Sequence, residues 1–298
     1  MIFRKDMMKI GVFGRDDQVD KLSLIQRLFN KLNELGGEIY VQPDFYNLLT
    51  GVLNYQPVIA GVITGDISGL DIALSVGGDG TFLRTVVQIN KQPIPILGIN
   101  TGRLGFLADI GSEQIEETLE ELFRHNYRIE ERMMLQLDSG AHLFQGYHYA
   151  LNEVAILRRD TSAMITIHTF LDDLYLTSYQ ADGLIIATPT GSTAYSMSLN
   201  GPIILPESDN MVLSPVAPHS LNVRPLVIQG SHKITLRVES RTDTFLVALD
   251  GRSEVLSIDT QLTVSKAAFT TRVIHRYDHT FYQTLRDKLM WGVDKRVK

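Results

Sequence analysis

Asp71-Ile72-Ala73-Leu74-Ser75-Val76-Gly77-Gly78-Asp79-Gly80-Thr81-Phe82-Leu83-Arg84 is the stretch that decides the fold. Ile72 to Val76 is short and almost wholly apolar, as expected of a strand buried on both faces. Gly77 to Gly80 turn the chain, and Thr81 to Ile89 carry apolar residues at helical intervals. A buried strand passing through a tight turn into a helix reads as one βα unit of a parallel sheet.

The same alternation extends on both sides. Upstream, Lys9 to Gly14 reads as a strand, and Val19 to Leu35 as a helix with Leu22, Ile25, Leu28, Phe29, Leu32 and Leu35 on one face. Gly36-Gly37 stops that helix, and Glu38 to Val41 forms the next strand. Downstream, Ile94 to Ile99 is a strand and Glu113 to Phe123 a helix with an acidic face. Residues 1–130 are therefore predicted to be an α/β domain, a Rossmann-like parallel sheet with helices on both faces. From about residue 131 the runs become short, β-rich and turn-separated: Met133 to Leu137, His148 to Leu157, Met164 to Phe170, Leu174 to Leu176, Gly183 to Thr188, Lys233 to Val238, Phe245 to Leu249 and Gln261 to Ser265. That pattern predicts an all-β, sandwich-like domain over 131–275. Helical spacing returns at Phe281, Leu285 and Leu289, so 276–298 is expected to dock on the first domain, with Trp291 as a docking residue.

Composition narrows the function. The 298 residues include 44% hydrophobic and 21% charged side chains, too apolar for a disordered chain. A formal charge of -6 argues against a broad nucleic-acid surface, and the absence of cysteine excludes disulfides, thiolate metal sites and a thiol nucleophile. Arg4, Lys5, Asp6 and Lys9 flank an apolar run of only Ile10 to Phe13, too short for an export signal. The uncharged stretches 45–65 and 183–206 are broken by Asn, Gln, Pro, Gly and hydroxyl residues, so no membrane span is expected and the cytoplasm is the expected location.

Gly77 to Thr81 lies where a parallel strand ends, the edge at which open α/β sheets place ligands. Small residues let the backbone approach a phosphate, and the helix start offers unpaired N–H groups. A carboxylate there repels phosphate, so Asp79 suits a hydroxyl or a metal, unless it is simply a helix cap in a tight turn. The P-loop pattern G-x-x-x-x-G-K-[ST] is missing, and Gly98 to Gly105 does not have the G-x-G-x-x-G spacing, although Arg103 within it can reach a phosphate. Asn152-Glu153 pairs an amide with an acceptor-only carboxylate, suited to a base edge and ribose hydroxyls or to an ordinary strand end. Asp182 to Ser196 runs from a buried strand into a loop with hydroxyls at Thr188, Thr190, Ser192, Thr193 and Ser196, plus Tyr195 as a surface for an aromatic base. No G-x-S-x-G elbow supports hydrolase chemistry. His219 reads as a loop histidine, Glu116, Glu117, Glu120 and Glu121 as a solvated helix face, and the eight histidines show no H-E-x-x-H spacing, so no protein metal site is expected.

In combination, GGDG at 77–80, NE at 152–153 and DGLIIATPTGSTAYSMSLNGPI at 182–203 resemble the NAD kinase family, supported by GINTGRLGFLAD at 98–109 and PVAPHSLNVRP at 215–225. The resemblance implies ATP-dependent phosphorylation of NAD at the adenosine ribose 2′-hydroxyl, a divalent cation such as Mg²⁺, and a homodimer or homotetramer. It implies that Asp79 is the proton acceptor with Gly80 beside the dinucleotide, and that Asn152 and Glu153 hold NAD. Asp182, Thr190, Thr193, Ala194, Tyr195, Ser196, Met197 and Ser198 match further dinucleotide contacts. Arg84 can meet phosphate. Arg252 stands where relatives often carry glutamine, and Gln180 where they can carry a basic residue. The site is expected where the two domains meet. GGDG is shared with lipid kinases of the diacylglycerol type, which would bind membranes, and a non-enzymatic dinucleotide sensor is the second alternative.

Overall fold

The computed structural model describes residues 7–15, 19–102, 104–140, 143–159 and 163–292. The chain divides into two compact units, one comprising 1–130 and 272–298, the other 131–271.

In the first unit, β1 (Lys9–Phe13), α1 (Leu22–Glu34), β2 (Glu38–Val41), α2 (Pro43–Asn47), β3 (Gly61–Val62), β4 (Ile72–Gly77), α3 (Asp79–Ile89), β5 (Ile96–Asn100) and α4 (Ile115–Phe123) follow one another. The strands are ordered β5-β4-β1-β2-β3, and every pairing is parallel. Pleat alternation sorts β4 between two layers. Ile72, Leu74 and Val76 join the cluster that holds Leu28, Phe29 and Leu32 of α1 and Ile115, Leu119 and Leu122 of α4. Ser75 faces the other way, where the Thr85 hydroxyl of α3 donates to its hydroxyl at 3.1 Å. Helices thus cover both faces, and Gly77 to Gly80 fall at the carboxyl edge. The short helix α2 has no counterpart in the sequence reading, because Pro43 and the Gln42 cap that accepts from the Phe45 N–H start it without apolar periodicity.

The second unit runs through β6 (Arg128–Asp138), β7 (Tyr149–Ala150), β8 (Glu153–Arg158), β9 (Ile165–Leu171), β10 (Leu174–Ala181), β11 (Gly183–Ala187), α5 (Tyr195–Ser198), β12 (Asn210–Val216), β13 (Leu226–Gln229), β14 (Ile234–Glu239), β15 (Thr244–Leu249), β16 (Arg252–Ser257) and β17 (Leu262–His275). One antiparallel sheet is ordered β13-β12-β11-β8-β15-β16, and a second antiparallel set runs β10-β9-β14-β17. Inward residues of both, such as Ile156, Leu184, Ile186 and Leu213 against Ile165, Ile167, Leu236 and Val264, form one core. That is a β-sandwich.

The expected strand His148 to Leu157 is broken in two at Leu151-Asn152, and the expected Gln261 to Ser265 continues to His275. The last residues of β17 belong to the first unit, where Val273 pairs in parallel with Ile96 of β5. A final helix, α6 (Phe281–Leu289), starts at a capping box in which the Thr280 hydroxyl accepts from the Gln283 N–H and the Gln283 side chain accepts from the Thr280 N–H. It buries Leu285 and sets Phe281 against the ring of Phe106 at 6.3 Å. Trp291 does not dock: it is 57% exposed, just beyond the helix end. No helix among the described residues is long and apolar enough to cross a membrane.

Candidate active site

Asp79 opens α3, and its carboxylate is gripped by backbone. Oδ2 accepts from the Phe106 N–H at 2.9 Å, and Oδ1 from the Leu107 and Ala108 N–H groups at 2.9 and 3.0 Å. The Lys288 ammonium of α6 lies 3.4 Å from Oδ2 and 4.3 Å from the centre of the Phe106 ring. Gly105 makes this approach feasible, since a Cβ there would stand 1.9 Å from Oδ1. The carboxylate remains 31% exposed. It is therefore not a cap for its own helix. The hydrogen bonds fix an anion at the mouth of the glycine turn.

Beside that turn a cavity of about 230 Å³ is lined by Arg15, Lys21, Gly77, Gly78, Gly80, Thr81, Thr101 and Gly102. Two cations face it together with the N–H end of α3, an arrangement suited to phosphate. Neither Arg15 nor Lys21 carries a sequence signal, because no motif surrounds them. Arg84 lies one turn into α3 and lines a neighbouring cleft with Arg15, Gln42, Asp44 and Gln88. Arg103 lies outside the described residues.

In the second unit a buried carboxylate organises the remaining motifs. Asp250 accepts from the N–H groups of Leu151, Asn152 and Glu153 at 2.7, 2.9 and 3.0 Å, which is why the strand breaks there. Gly191 packs so tightly on the Asn152 carbonyl that a Cβ would stand 2.0 Å from it, so the hydroxyl-rich loop and Asn152-Glu153 are one structure. The Glu153 side chain is buried and its Oε2 has no hydrogen-bond partner among the described residues. Burial, aided by the nearby Asp250, pushes its carboxyl up to about 8, against a backbone N–H of Tyr195 that favours the anion. Tyr195 itself is 38% exposed.

The loop hydroxyls mostly face inward. Thr188 donates to the Leu151 carbonyl, Ser192 to the Pro189 carbonyl at 2.6 Å, and Thr193 to the Thr190 carbonyl at 3.3 Å. The Ser196 hydroxyl meets that of Ser214 at 2.9 Å, and buried Arg132 donates to the Thr190 hydroxyl at 3.4 Å. These groups hold the loop's shape, while Tyr195 and Ser198 reach the surface and Ala194 and Met197 are half-buried. Asp182 pairs with Arg158 at 3.1 Å, at the edge of a wide cavity that includes Gln180. Arg252, expected on the dinucleotide, is committed elsewhere: its two terminal nitrogens donate to the Tyr147 and Tyr149 carbonyls at 2.8 and 2.7 Å, and its plane lies over the rings of Tyr147 and Phe144.

A strand-turn-helix whose glycine turn faces two cations and a fixed carboxylate, carried with a sandwich whose hydroxyl-rich loop packs on Asn152-Glu153 and exposes an aromatic ring, has the features of a kinase of small nucleotide-like molecules. Residues 10–127 match the ATP-NAD kinase N-terminal domain and residues 151–276 the ATP-NAD kinase C-terminal domain. The chain is 50% identical over 290 residues to the NAD kinase of Bacteroides fragilis and 45% identical over 292 residues to that of Porphyromonas gingivalis, in each case spanning 97% of this chain and 100% of the relative. It shares its fold with yeast NADH kinase complexed with NADH, at a TM-score of 0.85 and 22% identity over 100% of this chain and 92% of that one. It is also similar to an NAD kinase from Archaeoglobus fulgidus in complex with ATP, at 0.74 and 26% identity over 95% and 99%. The chain belongs to the ATP-NAD kinase family.

Proposed function

We propose that this chain phosphorylates NAD on the adenosine ribose 2′-hydroxyl with ATP as donor, and that Asp79 holds that hydroxyl. The observation that carries the reading is the way Asp79 is held. An ionised carboxylate offers about four acceptor positions. Three are taken by backbone N–H groups that cannot leave, and the fourth by a partly exposed lysine that can. A ribose hydroxyl takes that last position and is presented to the donor with its oxygen oriented. Phosphoryl transfer needs mainly alignment and charge neutralisation. A fixed carboxylate therefore suffices although it is a weak base, because it takes the proton late, as the P–O bond forms.

Arg15, Lys21 and the amides of Gly78 and Gly80 suit the phosphates. Among the described residues Thr81 and Thr101 bring the side-chain oxygens that line this cavity and would meet a divalent cation such as Mg²⁺ accompanying ATP. When bound, it supplies charge neutralisation. Asn152, Glu153 and Tyr195 suit NAD, since the Glu153 carboxyl can donate to or accept from a ribose hydroxyl through its unpartnered Oε2, and the Tyr195 ring can lie on a base. Thr190, Thr193, Ala194, Ser196, Met197 and Ser198 shape that surface, whereas Asp182 stands at the opposite end of β11 from Glu153, beside Arg158. Leu174 and Tyr175, adjacent and exposed on the edge strand β10, support a homodimer or homotetramer. Dependence on ATP and NAD supports a cytoplasmic location. Incubating the purified protein with Mg²⁺, ATP and NAD should yield NADP in proportion to ATP consumed, and ATP turnover without NADP would sink the proposal.

A further inference from the structure

We propose that Asp109, His275 and His279 form a binding site for one divalent transition-metal ion of the zinc type, separate from the cation that accompanies ATP. The three residues come from different segments of the first unit: Asp109 from the link between β5 and α4, His275 from the end of β17, and His279 from just before the α6 cap. One ligand atom from each lies within 4.8 Å of the others. Their side chains are 4%, 7% and 15% exposed.

The distances fit a tetrahedral ion. Asp109 Oδ2 lies 3.3 Å from His275 Nδ1 and 3.1 Å from His279 Nδ1. Neighbouring ligands on a tetrahedral ion with bonds of about 2.0–2.1 Å stand about 3.3 Å apart. Two edges of such a polyhedron are therefore already set.

The outer contacts are those of a metal-bound imidazole. The other nitrogen of His275, Nε2, faces Glu130 Oε2 at 3.4 Å, and Glu130 is in turn paired with Arg128 at 3.0 Å. Arg128 also donates to the His279 carbonyl at 3.1 Å. A carboxylate on the far nitrogen fixes the tautomer that turns the near nitrogen's lone pair toward an ion. Two imidazoles and one carboxylate select zinc, cobalt or nickel over Mg²⁺ or Ca²⁺, and the remaining position is open to water. The His-x-x-x-His spacing of 275–279 was the available sequence signal, but its third ligand stands far away in the chain. The residues just before Asp109 are the three whose N–H groups hold Asp79, so the ion pins the segment that positions that carboxylate.

The test uses the full chain, stripped with a chelator, with no nucleotide present. Titration with Co²⁺ alone should give visible d–d absorption saturating at one ion per chain, displaced by Zn²⁺ but not by millimolar Mg²⁺. Zn²⁺ should raise the melting temperature of the wild type. H279A, half-buried and the milder ligand loss, should weaken Zn²⁺ binding at least 100-fold, and E130Q by about 10–100-fold. No stoichiometric binding by the wild type, or equal binding by a folded H279A, overturns the assignment. Neither readout depends on kinase activity.

Discussion

At the scale of single residues, Asp79 is fixed before any ligand arrives, and substitutions there should reveal how. Asp79→Asn puts an amide NH₂ against at least one of the three backbone N–H groups. We expect kcat to fall by about 10²-fold or more with KM for NAD changed only a few-fold, measured by steady-state kinetics. Near-normal turnover would remove Asp79 from the chemistry. Gly105→Ala, which leaves every charged group in place, should depress kcat comparably, because its methyl would occupy the position of Oδ1. Glu153 makes a different prediction. Its carboxyl binds a proton more tightly in the fold, at about 8, than in the unfolded chain, at 4.5. It therefore contributes stability that is fully present below about pH 4.5 and lost as pH rises through 8. Glu153→Gln should gain on the wild type between pH 5 and 8.5, by on the order of 2–4 kcal/mol in unfolding experiments. Of these residues, Asp79 and Glu153 were legible from the sequence as polar groups at strand ends. Asp250 and Lys288 were not, because each acts on a partner 97 to 99 or 209 positions away.

At the scale of elements, the segment from His275 to Leu289 ties the first unit together. Arg276 is almost fully buried and meets Glu117 and Glu121 of α4 and Asp278, each within 3.0 Å. Arg276→Met should lower unfolding stability by about 1–3 kcal/mol, since it leaves three carboxylates clustered, two of them well solvated. Lys288→Met keeps the stem over Phe106 and removes the charge beside Asp79. A fall in kcat with unchanged melting temperature would show that the ammonium serves the reaction, whereas a fall in both would make it a structural tie. Elements with buried runs or clean alternation, such as β4, β14 and β15, were readable in advance. Strand β12 was not, because Asn210, Ser214 and Pro215 interrupt its pattern. The extension of β17 was hidden for another reason: Lys266 to Arg272 carries two alanines and shows no regular apolar alternation, and its strand character comes from neighbours on the sheet rather than from local preference.

At the scale of the molecule, the second unit is an insertion between residue 130 and residue 272 of the first. Composition and motif order were enough to separate an α/β half from a β half. That the end of the chain completes the first half in register with β5 depends on one long-range pairing, Val273 with Ile96, which no local pattern encodes. Removing 276–298 should therefore leave the sandwich intact and lower the stability of the first unit by on the order of 3–5 kcal/mol, the cost of breaking a buried ion-pair group. Hydrogen exchange would show lost protection in β4, β5 and α4 but not in β8 or β11.

This layout also dictates an order of events at the ribosome. The β half has all its strands in hand when residue 271 emerges, while the earlier-made half still waits for a closing strand and helix. Synthesis at about 5–20 residues per second imposes a lag of seconds between the two. A chain stalled before residue 288 has its GGDG turn but not the lysine beside it, so premature termination yields a folded sandwich joined to a first unit whose Asp79 lacks its ion-pair partner.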